Sequence, residues 1–99
     1  MRVILIPDAI EHLKAIEDFI GADSPSRAHA FVVDLRARIR QIGRMPRAYP
    51  LAERYEHLGL RRRPYRDYLI FYRIETKLVR VIAIIHGARD YDRFLNPDA

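Results

Sequence analysis

Three consecutive arginines, Arg61-Arg62-Arg63, are followed at short range by Tyr65, Tyr68, Tyr72 and Arg73, and farther on by His86, Arg89 and Phe94. An arginine's planar fork holds a carboxylate or a phosphate through two parallel hydrogen bonds. A histidine changes its charge near neutral pH. In an extended segment neighbouring side chains point to opposite faces, so Arg61 and Arg63 share one face and Arg62 serves another. One reading is a solvated edge strand protected by its charge. The other is a binding face, and it is favoured because tyrosines interleave with the arginines, a pairing typical of energetic contacts. His86 closes an apolar run. It is either a histidine at the sheet's margin bonded to backbone or a group that meets a target.

Other chemistries find little support. His12, His29, His57 and His86 show no metal-ligand spacing, and the chain has no cysteine, so neither a metal site nor a disulfide is expected. No glycine loop for phosphates, nucleophile elbow or paired-carboxylate signature occurs. No cofactor is expected. Asp90 and Asp92 with Arg89 and Arg93 read as local surface ion pairs.

The 99 residues carry a net charge of +5. All the basic residues except Lys14 and Lys77 are arginine. The expected partner is therefore acidic, a nucleic acid or an acidic protein. With 49% apolar and 31% charged residues the mixture is globular, and the length suits one domain over 1–99 with one modest core. The opening apolar run is too short for a signal peptide's core. No stretch approaches the roughly 20 apolar residues that span a bilayer. The absence of cysteine makes the cytoplasm the expected location.

The elements that must position these side chains follow from periodicity. Residues 2–6 are a short β-branched run, expected as a strand buried on both faces. A helix follows, with Asp8 as cap and Glu11 completing a capping-box-like signature. Its apolar stripe is Ala9, Leu13, Ile16 and Ile20, and Gly21 is its expected stop. Ser24-Pro25 starts a second helix with the stripe Ala28, Phe31, Val32, Leu35, Ile39 and Ile42, ended by Gly43 and Pro46. The short joint makes the pair an antiparallel hairpin over 8–44. Residues 45–57, with two prolines, read as a surface connection whose tyrosines are expected to pin it to the body. Strands are expected at 58–63, 68–74 and 78–86, the last in the middle of the sheet because it is apolar on both faces. The class is α+β: an N-terminal strand, a helical hairpin, then a three-strand antiparallel meander with the helices on one face. Phe71 is a candidate core residue, as is Tyr72.

The run Gly59-Leu60-Arg61-Arg62-Arg63-Pro64-Tyr65-Arg66-Asp67-Tyr68-Leu69-Ile70-Phe71-Tyr72-Arg73 resembles the hallmark hairpin of the RelE/ParE toxin superfamily. Val81 to Asp90 is similar to its closing strand and His-x-x-Arg tail. The resemblance covers nearly the whole chain. It implies the toxin of a type II toxin–antitoxin module, neutralised by a cognate antitoxin. It implies one of two targets: DNA gyrase, inhibited by binding, or messenger RNA cut in the ribosome. A member that only binds its antitoxin is a third reading. RNA cleavage needs an acid, a base and cations around a held phosphate. Arg61, Arg63 and Arg89 would be the cations, and Tyr68 or His86 the proton carriers. Yet the RelE-like pattern has arginine where this chain has Leu69 and a late tyrosine near Leu95, which favours the ParE-like branch and a binder over an enzyme. The implied binding residues are Arg61, Arg62, Arg63, Tyr65, Tyr68, Arg73, His86, Arg89 and Phe94.

Overall fold

The computed structural model describes residues 1–95 of the chain. Strand β1 is Arg2–Leu5, helix α1 Pro7–Gly21, helix α2 Pro25–Ile42, strand β2 Arg61–Tyr65, β3 Tyr68–Glu75 and β4 Leu78–His86, and a last turn, α3, spans Asp92–Leu95. The sheet order is β1-β4-β3-β2. β1 runs parallel to β4, and the other pairings are antiparallel. The α+β class, the hairpin on one face and the interior place of 78–86 all stand as expected.

Helix α2 begins where Ser24 accepts the Arg27 N–H at 3.3 Å, with Pro25 in the first turn. It ends at Gly43 for a steric reason rather than a left-handed φ. A Cβ there would collide with the Met1 carbonyl oxygen and stand 2.9 Å from Val3 Cγ2. The Met1 ammonium donates to the Gly43 carbonyl at 2.7 Å, which seals β1 against the end of α2.

Three expectations are corrected. Asp8 does not cap α1: the cap is Ile6, without a side-chain bond, and Pro7 opens the helix. Proline's fixed φ and missing N–H suit that first position, so no capping box is needed. Strand β1 is an edge strand, half-buried rather than covered on both faces. The strand expected at 58–63 starts only at Arg61. Glu56–Leu58 form a short 3-10 turn, and Gly59 adopts φ 70°, a left-handed conformation that glycine takes without strain.

A β-bulge shapes the interior of the sheet. Phe71 pairs with Ala83 and Tyr72 with Val81, which leaves Ile82 unpaired. One extra residue reverses the alternation beyond it. Val79 and Val81 face the helices before the bulge and Ile84 after it, whereas Ala83 and Ile85 face away. The helix-side core joins Leu13, Ile16, Leu35, Ile39, Ile70 and Tyr72. Fully burying each such side chain is worth about 1.5–3 kcal/mol.

The opposite face is also covered, by the connection 45–57 and the residues after it, and Tyr55 pins that connection to the sheet as expected. Ala52, Tyr55 and Leu60 pack on Phe71, Ala83 and Ile85, with Tyr91 and Leu95 at the margin. Asp92 ties this layer down, so it is not part of the local ion-pair cluster expected in the tail. It accepts the Tyr55 hydroxyl and, at 2.5 Å, the Arg54 guanidinium. The bond from Tyr55, then that from Arg54, holds the Asp92 carboxyl below its ordinary range against the opposing effect of burial. The same bond to Asp92, with burial, pushes the Tyr55 phenol up to about 12.

The tie predicts a pH response with two signs. Asp92 binds protons more weakly folded than unfolded. Its contribution is therefore complete above its ordinary value of 3.8 and declines as pH falls through the lowered one. Tyr55 binds its proton more tightly folded. Its contribution is complete below its ordinary value of 10.0 and declines as pH rises toward about 12. Urea midpoints for Asp92→Asn should vary less than wild type across both windows. Parallel profiles for the two proteins would reject the tie.

Candidate functional site

The C-terminal end of β4 and the first residue of β3 are cross-strand neighbours, with Tyr68 opposite His86. Their rings meet edge to face at 5.3 Å. Phe31 of α2 packs on the other side of Tyr68, 5.7 Å away. His86 accepts the Ala88 N–H at Nδ1, 3.1 Å, so its neutral ring carries the proton on Nε2. The Gly87 N–H donates to the Asp67 carbonyl at 2.8 Å, which pins the segment after β4 to the β2–β3 turn.

A groove of about 370 Å³ opens between this strand end and α1. Ile16, Phe19 and Ile84 supply apolar lining, together with Tyr68, His86, Arg89 and Phe94. The Arg89 guanidinium lies 5.0 Å from the Phe94 ring centroid, and the Phe94 ring meets His12 edge to face at 5.7 Å. A second hollow, about 490 Å³, shares Phe19, Tyr68 and His86 with the first and extends toward Arg27 and Arg66. The two adjoin along these shared residues as one trough, with Arg89 lining the more apolar first hollow and Arg27 and Arg66 the second. Phe19 stands in its wall at 76% exposure.

The remaining candidates lie elsewhere. Arg61 donates to the Tyr49 carbonyl at 2.6 Å, and the Arg63 guanidinium sits 5.2 Å from the Tyr49 ring centroid. Both are on the helix side of edge strand β2 and do not line the trough. Arg63 Nε is buried without a hydrogen-bond partner among the described residues. Arg62 faces the other way, into a cleft with Arg54, Glu53 and Tyr91. Tyr65 is buried, and its hydroxyl donates to Asp34 at 2.6 Å. That bond, ahead of Arg38 and Arg66 nearby, lowers the Asp34 carboxyl. Arg73 pairs with Glu75 at 2.6 Å, and Glu75 also takes Arg80 at 2.9 Å. Arg73 is five residues along β3 from Tyr68, roughly 17 Å by strand rise. The structure thus brings Tyr68, His86, Arg89 and Phe94 together and leaves Arg61, Arg62, Arg63, Tyr65 and Arg73 outside.

On α1 the sequence reading misses His12 and Phe19. Their signal is a second stripe on α1, His12-Ile16-Phe19 at steps of four and three, beside the core stripe. The sequence reading also misses Arg27 and, in the same hollow, Arg66. Arg66 adopts φ 51° in the two-residue β2–β3 turn, where its guanidinium lies 5.7 Å from Tyr65 and 5.9 Å from Phe31.

The arrangement can hold an apolar side chain flanked by carboxylates or phosphates. Positions 69 and 95 are occupied otherwise: Leu69 and Leu95 both pack against the core on the far face of the sheet. Among the described residues no cluster of three or more metal-ligating side chains occurs, and no helix is long and apolar enough to cross a membrane.

Comparison with known proteins places the chain. A family model described as "ParE toxin of type II toxin-antitoxin system, parDE" matches residues 3–91. Among solved structures, a chain described as "Chromosomal ParDE TA system from P. aeruginosa" superposes with a TM-score of 0.73 at 18% identity, covering 87% of this chain and 95% of that one. At that identity the likeness speaks for the fold. No match is found among curated protein sequences.

Proposed function

The chain belongs to the ParE toxins of type II toxin–antitoxin systems, and on that premise we propose that it inhibits DNA gyrase by binding it and is neutralised by an acidic antitoxin seated in the trough. The observation that carries the binding reading over the cutting one is that two of the three candidate cations, Arg61 and Arg63, stand apart from Tyr68 and His86, and only Arg89 lies beside them. Cleavage by a 2′-hydroxyl needs cations on the phosphate beside an acid and a base. Here Tyr68, His86 and Arg89 line the trough, while Arg61 and Arg63 are engaged at Tyr49 on β2. The leucines at 69 and 95 serve packing. Holding an anion is what the remaining arginines do well, and holding is not cleavage.

The antitoxin fits the same chemistry. Arg89 in the first hollow and Arg27 and Arg66 in the second suit an amphipathic segment with apolar anchors between acidic residues. Such a partner associates faster at low salt, because its charges steer the encounter.

The test is supercoiling by purified gyrase titrated with the protein, beside a ribosome-programmed message-cleavage assay. Inhibition of supercoiling with intact message is expected, and His86→Ala should change the inhibition only modestly. Loss of a general acid or base costs about 10²–10⁴-fold in rate, whereas most contacts at an interface cost little. Message cleavage that disappears in His86→Ala, with supercoiling untouched, overturns the gyrase reading in favour of a ribosome-dependent ribonuclease.

A further inference from the structure

Strand β1 accompanies β4 only as far as Leu5 opposite Val81, with one more bond from the Ile6 N–H to the Val81 carbonyl. Beyond that point β4 runs on to His86 with β3 on one side and, among the described residues, no strand on the other. The bulge at Ile82 has meanwhile turned the Ile84 N–H toward the vacant side. A buried strand N–H left unpaired costs about 1–3 kcal/mol. Here it is taken by a side chain 72 residues away: His12 Nδ1 accepts it at 3.2 Å.

We propose that His12 is the positioning residue of the trough and makes its shape sensitive to protons. The neutral imidazole stands where a neighbouring strand would, holds the stretch from Ile84 to His86 in place, and offers Phe94 an edge to pack on. Because Nδ1 accepts, the ring's proton is on Nε2. A second proton would have to sit on Nδ1, donor against donor with the Ile84 N–H. Protonation therefore breaks the bond and frees that end of β4 together with the Phe94 contact.

The surroundings agree with a neutral ring. Burial is the main effect lowering the His12 value below 6.5. Asp8 and Glu11, on α1 itself, pull it up, and Arg89, from the segment after β4, pulls it down. His86 and Tyr68 line the same groove, and α3 presents Phe94. The folded protein thus takes up this proton less readily than the unfolded chain. Stability from this site is complete above about pH 6.5 and declines as pH falls through the lowered value.

This role for His12 is independent of what the trough binds, so its test needs neither gyrase nor antitoxin, and a failed supercoiling assay leaves it standing. Nitrogen-15 NMR of the imidazole at neutral pH should show a proton on Nε2 and none on Nδ1. As His12 titrates, hydrogen exchange at the Ile84 amide, corrected for its intrinsic pH dependence, should speed up by about tenfold, the cost of one hydrogen bond. The Phe94 ring resonances should shift with the same midpoint, and the Ile70 amide in β3 should not respond. His12→Asn, whose side-chain carbonyl can replace Nδ1 as acceptor, should keep Ile84 protected and make its exchange flat with pH. Ile84 protection that stays constant while the wild-type His12 titrates, or an Asn variant that follows the wild-type pH curve, overturns the proposal. The wild-type titration alone decides the matter if a variant folds poorly.

Discussion

Tyr72→Ala should cost about 3–5 kcal/mol, the usual loss for a large buried aromatic ring. That is a large share of the roughly 5–15 kcal/mol that holds a domain together. Tyr72 has no exposed surface, and its ring lies in the helix-side core with Leu35, Ile39 and Ile42. Its hydroxyl does a second job, donating to the Pro46 carbonyl at 2.6 Å. That bond fastens the chain just after α2 to the middle of the sheet. Tyr72→Phe keeps the ring and removes only the donor, so it should cost about 1 kcal/mol, the net worth of one hydrogen bond. Denaturant midpoints for the two variants separate cavity from bond. Equal losses would mean that the hydroxyl, not the ring, carries the site. Losses under about 1 kcal/mol in both would mean that the cavity collapses without strain.

Sequence periodicity was most legible where local signals and tertiary packing agree. Helix α2 was delimited at both ends because Ser24-Pro25 opens it and Gly43 closes it. The bounds of β4 were legible because the polar turn Glu75-Thr76-Lys77 precedes an unbroken apolar run. The failures have a common physical source in contacts between distant residues. A short run such as Val3-Ile4-Leu5 has the same composition at an edge as in the interior, so the half-exposed place of β1 was not readable. The bulge at Ile82 left no trace because both faces of β4 are apolar, and reversing their alternation changes nothing visible. The bond from Tyr55 to Asp92 spans 37 residues, and that from His12 to Ile84 spans 72. Of the candidate site, the arginine–tyrosine hairpin drew attention by density, yet most of it serves the fold: Tyr65 is core and Arg61 supports the Tyr49 loop. The trough is assembled from α1, α2, the two strand ends and α3, and of its lining the sequence points only to Tyr68, His86, Arg89 and Phe94 as site residues.

Phe19→Asp should leave the fold almost untouched and weaken antitoxin binding by roughly 30- to 1,000-fold, about 2–4 kcal/mol, the range of an interface anchor. The two halves of this expectation have separate grounds. Phe19 is 76% exposed, so its removal from the isolated toxin should move stability by no more than about 0.5 kcal/mol. It also belongs to both hollows of the trough, where a partner's apolar side chains would cover it. An aspartate there loses that contact area and sets a carboxylate against the acidic segment proposed to lie between Arg89 and Arg66. Arg89→Ala should act differently, with a smaller loss that shrinks as salt rises, because a rim charge works mainly through steering. Calorimetric titration of each variant with the cognate antitoxin, at low and high salt, reads both effects, and thermal melts of the free toxin check the fold. Unchanged affinity in Phe19→Asp would move the antitoxin out of the trough. The first place to look would then be the Arg62 cleft on the opposite face of the sheet, where Arg54, Glu53 and Tyr91 gather.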